Sequence, residues 1–306
     1  MPLHVKEVMM IENVAPVFIF VALGYLFKKI KHDISEALTE FVIYFSLPAL
    51  ALSKIRHMTF SHEVFLIILI AYITMALSLA LGYCAGRLMK LDRKNLVTMM
   101  VIVGFGNTGF VGFSYIESFY SLHAVSYALV YDQMGTFIAL MAFGIPLIAW
   151  GGGREQRVRD VAKQVAFSPP LLAIFVAIGF QGTEFPPLIE TILDKFQATL
   201  IPLVTAIVGM KLEFRTLSLY FKENMVALSL KMVIAPSLML IGFYVFADLK
   251  AEWVKVTFLE TAMPPMTLAV VFGIRGGLNR ELLINALALG ILFSFISMGV
   301  WNLIIS

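Results

Sequence analysis

The sequence predicts an all-α integral membrane protein of ten transmembrane helices, arranged as two inverted five-helix repeats. Three observations carry this. First, 60% of the 306 residues are apolar and only 14% are charged, against roughly a quarter charged in soluble domains. Second, apolar runs near the length of about 20 residues needed to cross a bilayer recur along the whole chain. Third, a basic, glycine-rich segment from Gly151 to Asp160 divides the chain near its middle. The single cysteine, Cys84, lies in an apolar run, which rules out an internal disulfide and offers no metal-ligand set.

The predicted spans cover residues 11–30, 34–55, 63–90, 96–118, 121–150, 166–181, 186–211, 221–248, 251–273 and 278–304. The first run is full length, enters through Glu12 and Asn13, and ends on Lys28, Lys29 and Lys31. It reads as a span with a basic stop, not as a cleaved signal peptide. The sixth run is the shortest, and the seventh opens on the polar residues Glu190, Asp194 and Lys195, of which Asp194 and Lys195 are read as interfacial. Trp150, Trp253 and Trp301 fall near span ends, where an aromatic belt is expected.

Charge then orients the spans. The loops after spans 1, 3, 5, 7 and 9 hold 16 Lys and Arg residues, from Lys28 in the first to Arg280 in the last. The opposite side holds Lys6, Lys54, Arg56, Lys250 and Lys255. Basic loops stay in the cytoplasm, so both termini are expected outside. A missed span would mix the two loop classes, so the even count is supported. Residues 151–165 then form a cytoplasmic linker between a first repeat, 1–150, and a second, 166–306. Five spans per half force the halves into opposite orientations.

The repeat leaves a trace in the residues. Pro48 in span 2 recurs as Pro202 in span 7, and the Gly104-to-Gly112 break in span 4 recurs as Met263-Pro264-Pro265-Met266 in span 9. Freed backbone groups in hydrocarbon cost several kcal/mol each unless they line a cavity or meet a partner. Matched broken spans therefore mark a binding site. Each half-helix beginning after a break offers free N–H groups and a positive dipole end, which suits an anion. Gly82 and Gly86 in span 3, by contrast, read as a helix-packing face.

Three ionisable residues lie deep in spans: Asp132 in Tyr131-Asp132-Gln133-Met134-Gly135-Thr136, Glu260 just before the span 9 break, and Lys231 in span 8. A charge at the bilayer centre costs about 3 kcal/mol or more, so such groups face a polar interior. Glu260 and Asp132 are expected to carry a proton, bind a coupling cation or brace the broken backbone. Gln133 and Thr136 are the expected companions of Asp132, and Lys231 is expected to pair with Asp132 or Glu260 or to counter a substrate carboxylate. His62-Glu63 has no second histidine four residues on, so no zinc-protease helix is present. No phosphate-binding loop, nucleophile–base pair or nucleic-acid surface is found. The expectation is a transporter without a cofactor, not an enzyme, with H+ or Na+ as the possible coupling ion.

Gly106-Asn107-Thr108-Gly109-Phe110-Val111-Gly112, Tyr131-to-Thr136, Ala262-Met263-Pro264-Pro265 and Phe45-Ser46-Leu47-Pro48-Ala49-Leu50 together resemble the auxin efflux carrier family. That family includes the plant PIN-FORMED auxin exporters and bacterial carboxylate permeases. The short linker resembles the bacterial branch. The resemblance implies a scaffold of spans 1, 2, 6 and 7, often the homodimer contact, and an elevator-type transport bundle of spans 3–5 and 8–10. It implies broken crossover helices 4 and 9, with small organic carboxylates bound by alternating access at Asn107, Thr108, Gly106, Gly109, Pro264, Pro265 and Met263. The family's crossover Asn falls on Asn107. Where plant members carry a second Asn, this chain has Met263-Pro264-Pro265-Met266. The fold is also similar to that of sodium–bile acid symporters, so a sodium-coupled organic anion symporter and an auxin-like indole acid exporter stand as alternatives. A cell inner (plasma) membrane location, lipid contact and a small organic anion partner complete the expectation.

Overall fold

The computed structural model describes residues 19–57, 62–153, 167–212 and 219–306. From Arg154 onward the expected linker lies outside the described residues, as does the start of the first span. Among the described residues the chain is helical, with no β-strand and one isolated antiparallel bridge between Gly106 and Pro265.

The helices follow in order. α1 covers residues 19–30, and α2 is Ser35–His57, α3 His62–Leu88 and α5 Val125–Gly152. α7 is Pro187–Lys211, α8 Phe221–Phe246 and α10 Arg280–Ile305. These last six, α2, α3, α5, α7, α8 and α10, are long and apolar enough to cross a membrane. α6, Pro169–Gly179, is a shorter apolar helix. α4 and α9 are each broken, into α4a (Arg93–Gly104) and α4b (residues 108–119), and into α9a (Glu252–Thr261) and α9b (Thr267–Arg275).

Local chemistry sets several boundaries. Asp92 accepts from the Asn95 amide at 3.3 Å and starts α4a, and Asn279 accepts from the Leu282 amide at 3.2 Å and starts α10. Pro169 and Pro187 open α6 and α7, where a missing N–H costs nothing. α5 ends at Gly153, whose φ of 73° is left-handed. Wide π-type turns run through Val42–Ser46, Leu140–Gly144 and Leu230–Ile234, each just ahead of a proline: Pro48, Pro146 and Pro236. A proline ring would clash with the carbonyl four residues back, and the wider turn relieves it. Two further wide turns, Thr108–Gly112 and Tyr131–Phe137, precede no proline. They coincide with the residues of the site.

Small residues set the packing. Gly24 lies against Ala206 and Gly209 against Val21, bringing α1 and α7 to backbone contact, and α2 packs on α6 and α7. α3 packs along α4a, where a Cβ on Gly82 would sit 3.1 Å from Met100 Cα, in agreement with the packing role expected for Gly82. Phe65, Leu69, Ile73 and Tyr83 of α3 are exposed, an apolar face suited to lipid. The aromatic-belt expectation is corrected for Trp301. It is buried, its Nε1 donates to Met232 O at 2.9 Å, and its ring meets Phe258 edge-on. A free carbonyl in the wide turn of α8 takes that indole N–H, and this outweighs an interfacial position.

Candidate functional site at the crossing of two broken helices

The breaks in α4 and α9 meet. The Asn107 amide donates to Pro264 O at 2.7 Å, and the Met266 amide donates to Phe105 O at 3.0 Å. Pro264 and Pro265 cannot donate, yet their segment still contributes a carbonyl and the flanking Met266 amide. Two of the freed amides and two of the freed carbonyls are thus satisfied across the crossing. The Asn107 side chain adds a bond to Thr267 Oγ1 at 2.9 Å, and its carbonyl accepts from Gly112 N at 2.9 Å to start α4b.

Three glycines on α4, spaced by three, each face one intramembrane ionisable group. A Cβ on Gly106 would lie 3.2 Å from Lys231 Nζ, on Gly109 3.1 Å from both Asp132 carboxylate oxygens, and on Gly112 2.6 Å from both Glu260 oxygens. The glycines therefore leave the room these side chains fill. Asp132 is braced: Thr108 Oγ1 donates to Oδ1 at 2.6 Å, and Gln133 Nε2 donates to Oδ2 at 2.5 Å. Glu260 is 1% exposed, and among the described residues neither carboxylate oxygen has a hydrogen-bond partner. Lys231, 2% exposed, lies within electrostatic reach of Glu260.

A cavity of about 90 Å³ lies beside the crossing. From the α4, α5 and α9 side it is lined by Asn107, Gly109, Phe110, Asp132, Gln133, Phe137, Met266 and Leu268. From the other side α2 contributes Thr39, Ile43 and Leu47, and the start of α6 contributes Ser168 and Pro170. The first residues of α4b and α9b border it, so two helix N-termini with their unpaired amides are near the space. Thr39 and Ser168 stand near helix ends that adjoin the basic loops. α2 also packs on α5, and Leu50, Ala128 and Leu129 of these helices are fully buried.

Residues 9–302 match the family described as membrane transport protein, that of the auxin efflux carriers. The chain belongs to this family. An uncharacterized transporter of Methanothermobacter thermautotrophicus is 27% identical over 300 residues, covering 96% of this chain and 98% of that protein. An uncharacterized transporter of Methanocaldococcus jannaschii is 22% identical over 301 residues, covering 94% and 96%. This auxin efflux carrier family member is accordingly a multi-pass membrane transport protein and not an enzyme.

Of the residues singled out from sequence, Asn107, Gly109, Asp132 and Gln133 line the cavity. Thr108 is buried behind it with its hydroxyl turned to Asp132, and Gly106, Met263, Pro264 and Pro265 form the crossing itself. Lys231 and Glu260 face Gly106 and Gly112 of α4 and are not among the residues that line the cavity. Sequence reasoning missed the α2 wall and the Ser168-Pro169-Pro170 entry to α6. The proline pair after a serine was the available signal. It also missed Thr267, which no break marks, and read Arg56 only as a loop cation.

Proposed function

We propose that this family member is a secondary transporter of small organic carboxylate anions, bound at the crossing of α4 and α9 and carried by alternating access. The observation that supports this most is the cavity against the crossing, lined by Asn107 and bordered by two helix N-termini. Free amides and dipole ends favour an anion. The volume of about 90 Å³ is well below the roughly 300 Å³ at which drug-sized pockets begin, so an acid of a few carbons fits better than a fused-ring acid.

In this reading the chain makes ten spans in two inverted repeats, 1–150 and 166–306, joined by the cytoplasmic linker 151–165. α1, α2, α6 and α7 act as scaffold and homodimer contact, and the other helices move as an elevator against them. The cavity has walls from both groups, as a sliding interface requires. Both termini lie outside the inner (plasma) membrane, so the cavity sits on the cytoplasmic side of the crossing. Transport is coupled to H+ or Na+ or runs as an uncoupled uniport.

Reconstituted protein on solid-supported membranes tests the reading. Jumps of malonate, malate, lactate and indole acetate, paired with radiolabel counterflow, are expected to give saturable transport of one small carboxylate class, lost in Asn107→Ala. Undiminished transport in Asn107→Ala rejects the site. Silence in both assays for every anion rejects the function.

A further inference from the structure

The cavity proposed for an anion is itself lined by a carboxylate, Asp132, and among the described residues its lining contains no Lys, Arg or His. We propose that Asp132 takes up a proton when the anion enters, so that anion and proton occupy the site and cross together. This deepens the carboxylate reading above and rests on it.

The charge count motivates it. Asp132, Glu260 and Lys231 are all buried around α4. With all three ionised, the group holds one negative charge in excess. An arriving monoanion doubles that excess within a low-dielectric interior, where like charges repel strongly. Lys231 lies within electrostatic reach of Glu260, and neither side chain lines the cavity. Asp132 is the member that faces the cavity, so it is the one whose charge the anion meets.

The surroundings suit a proton better than a metal cation. A hard cation takes several oxygens turned inward, whereas the two groups on the Asp132 oxygens, Thr108 Oγ1 and Gln133 Nε2, are donors. Gln133 Oε1 is buried with no partner. Amide orientation is assigned from such contacts, and a half-turn of the Gln133 amide exchanges Nε2 for Oε1. The ionised carboxylate then accepts from the amide, and the protonated carboxyl donates to it. Both protonation states are satisfied by one side chain. The titratable groups around Asp132 are Tyr131 on its own helix, Tyr72 of α3, Glu260 of α9a and Lys231 of α8. The facing polar residues of α2, α4b and α6 are Thr39, Thr108 and Ser168, which do not titrate.

The proton binds an Asp132 oxygen on the side from which the anion enters, and leaves it on the other side as the anion departs. No bond to the anion forms or breaks.

Proteoliposomes with a trapped pH dye, given radiolabelled lactate, malonate or malate, test the proposal. Empty liposomes report the leak of neutral acid, which is subtracted. Counterflow of label first establishes carboxylate transport. The expected result is then lumenal acidification of about one proton per anion carried, falling toward zero in whatever transport Asp132→Asn retains. Anion uptake without acidification overturns the proton and leaves the carboxylate reading standing. So does uptake that requires sodium and leaves lumenal pH unchanged. An unaltered proton ratio in Asp132→Asn overturns the assignment to this residue. No counterflow with any anion overturns the carboxylate reading and this one with it. If Asp132→Asn does not fold, judged by its elution in detergent, the wild-type ratio decides for or against a proton, and Gln133→Leu, which removes the amide, is expected to lower the ratio in place of Asp132→Asn.

Discussion

The side-chain amide of Asn107 donates to the Thr267 hydroxyl at 2.9 Å, joining the turn of one broken helix to the first residue after the other. With the two backbone bonds beside it, this makes the crossing a single clamped unit. α4 and α9 cannot shift separately without exposing amides to hydrocarbon, so any movement that changes access carries both.

Removing one half of that contact leaves the other buried and unpaired. Thr267 is 4% exposed, so Asn107→Ala is expected to lower unfolding stability by about 1–3 kcal/mol. The double variant Asn107→Ala with Thr267→Val is expected to regain part of that stability and none of the transport. Thermal melts in detergent and counterflow read the two effects separately.

The glycines of α4 should differ sharply from glycines elsewhere. In Gly112→Ala the new Cβ falls 2.6 Å from both Glu260 oxygens, so the carboxylate must move within a closed interior. A loss of about 1–3 kcal/mol is expected, partly restored by adding Glu260→Ala. At Gly242 a Cβ meets nothing within 4 Å, and Gly242→Ala should be neutral or stabilising by up to about 1 kcal/mol. Equal effects at the two positions would contradict the packing described.

At the other end of the molecule, Arg56 is 1% exposed and meets Glu190 at 2.6 Å, His57 Nε2 at 2.8 Å and the Phe185 ring at 4.3 Å. It ties the end of α2 to the start of α7. Its Nε and Nη1 have no partner among the described residues. Glu190→Gln strands this buried cation, while Arg56→Met removes it and keeps the stem contacts. Glu190→Gln is therefore expected to be the more damaging. Its cost is on the order of 1–3 kcal/mol, less than a fully buried pair would lose, because Glu190 is 31% exposed. Melting temperatures of the two variants rank them.

Trp301 supports the wide turn that carries Lys231, through its bond to Met232 O. Trp301→Phe keeps most of the ring contact with Phe258 and deletes the N–H. A loss of roughly 1 kcal/mol is expected, read by thermal melt, with Trp301→Ala considerably worse.

The helices themselves were readable from sequence because apolar runs, basic loops and prolines are all local signals. The break in span 4 announced itself through its glycines, and that in span 9 through Pro264-Pro265. What sequence could not supply was which groups fill the gaps. Gly112 and Glu260 are 148 residues apart, and nothing in either local pattern names the other. Arg56 looked like an ordinary loop cation because its partner Glu190 lies on a different helix. Trp301 sat at a span end and so looked interfacial, although tertiary packing turns it inward. The α2 wall of the cavity carries residues such as Ile43 and Leu47 that are indistinguishable from lipid-facing ones until a neighbour is placed.

The three notches of α4 have a consequence for how such a chain can change over generations. Each notch is a missing methyl group, and each is already filled by the end of a charged side chain from another helix. A β-carbon at position 112 and the present carboxylate placement at position 260 are mutually exclusive, and positions 109 and 132 are tightly constrained in the same way. A lineage that acquires an alanine in this stripe must therefore shorten or redirect the facing charge in step. Paired substitutions at these positions, rather than single ones, are the history this geometry permits.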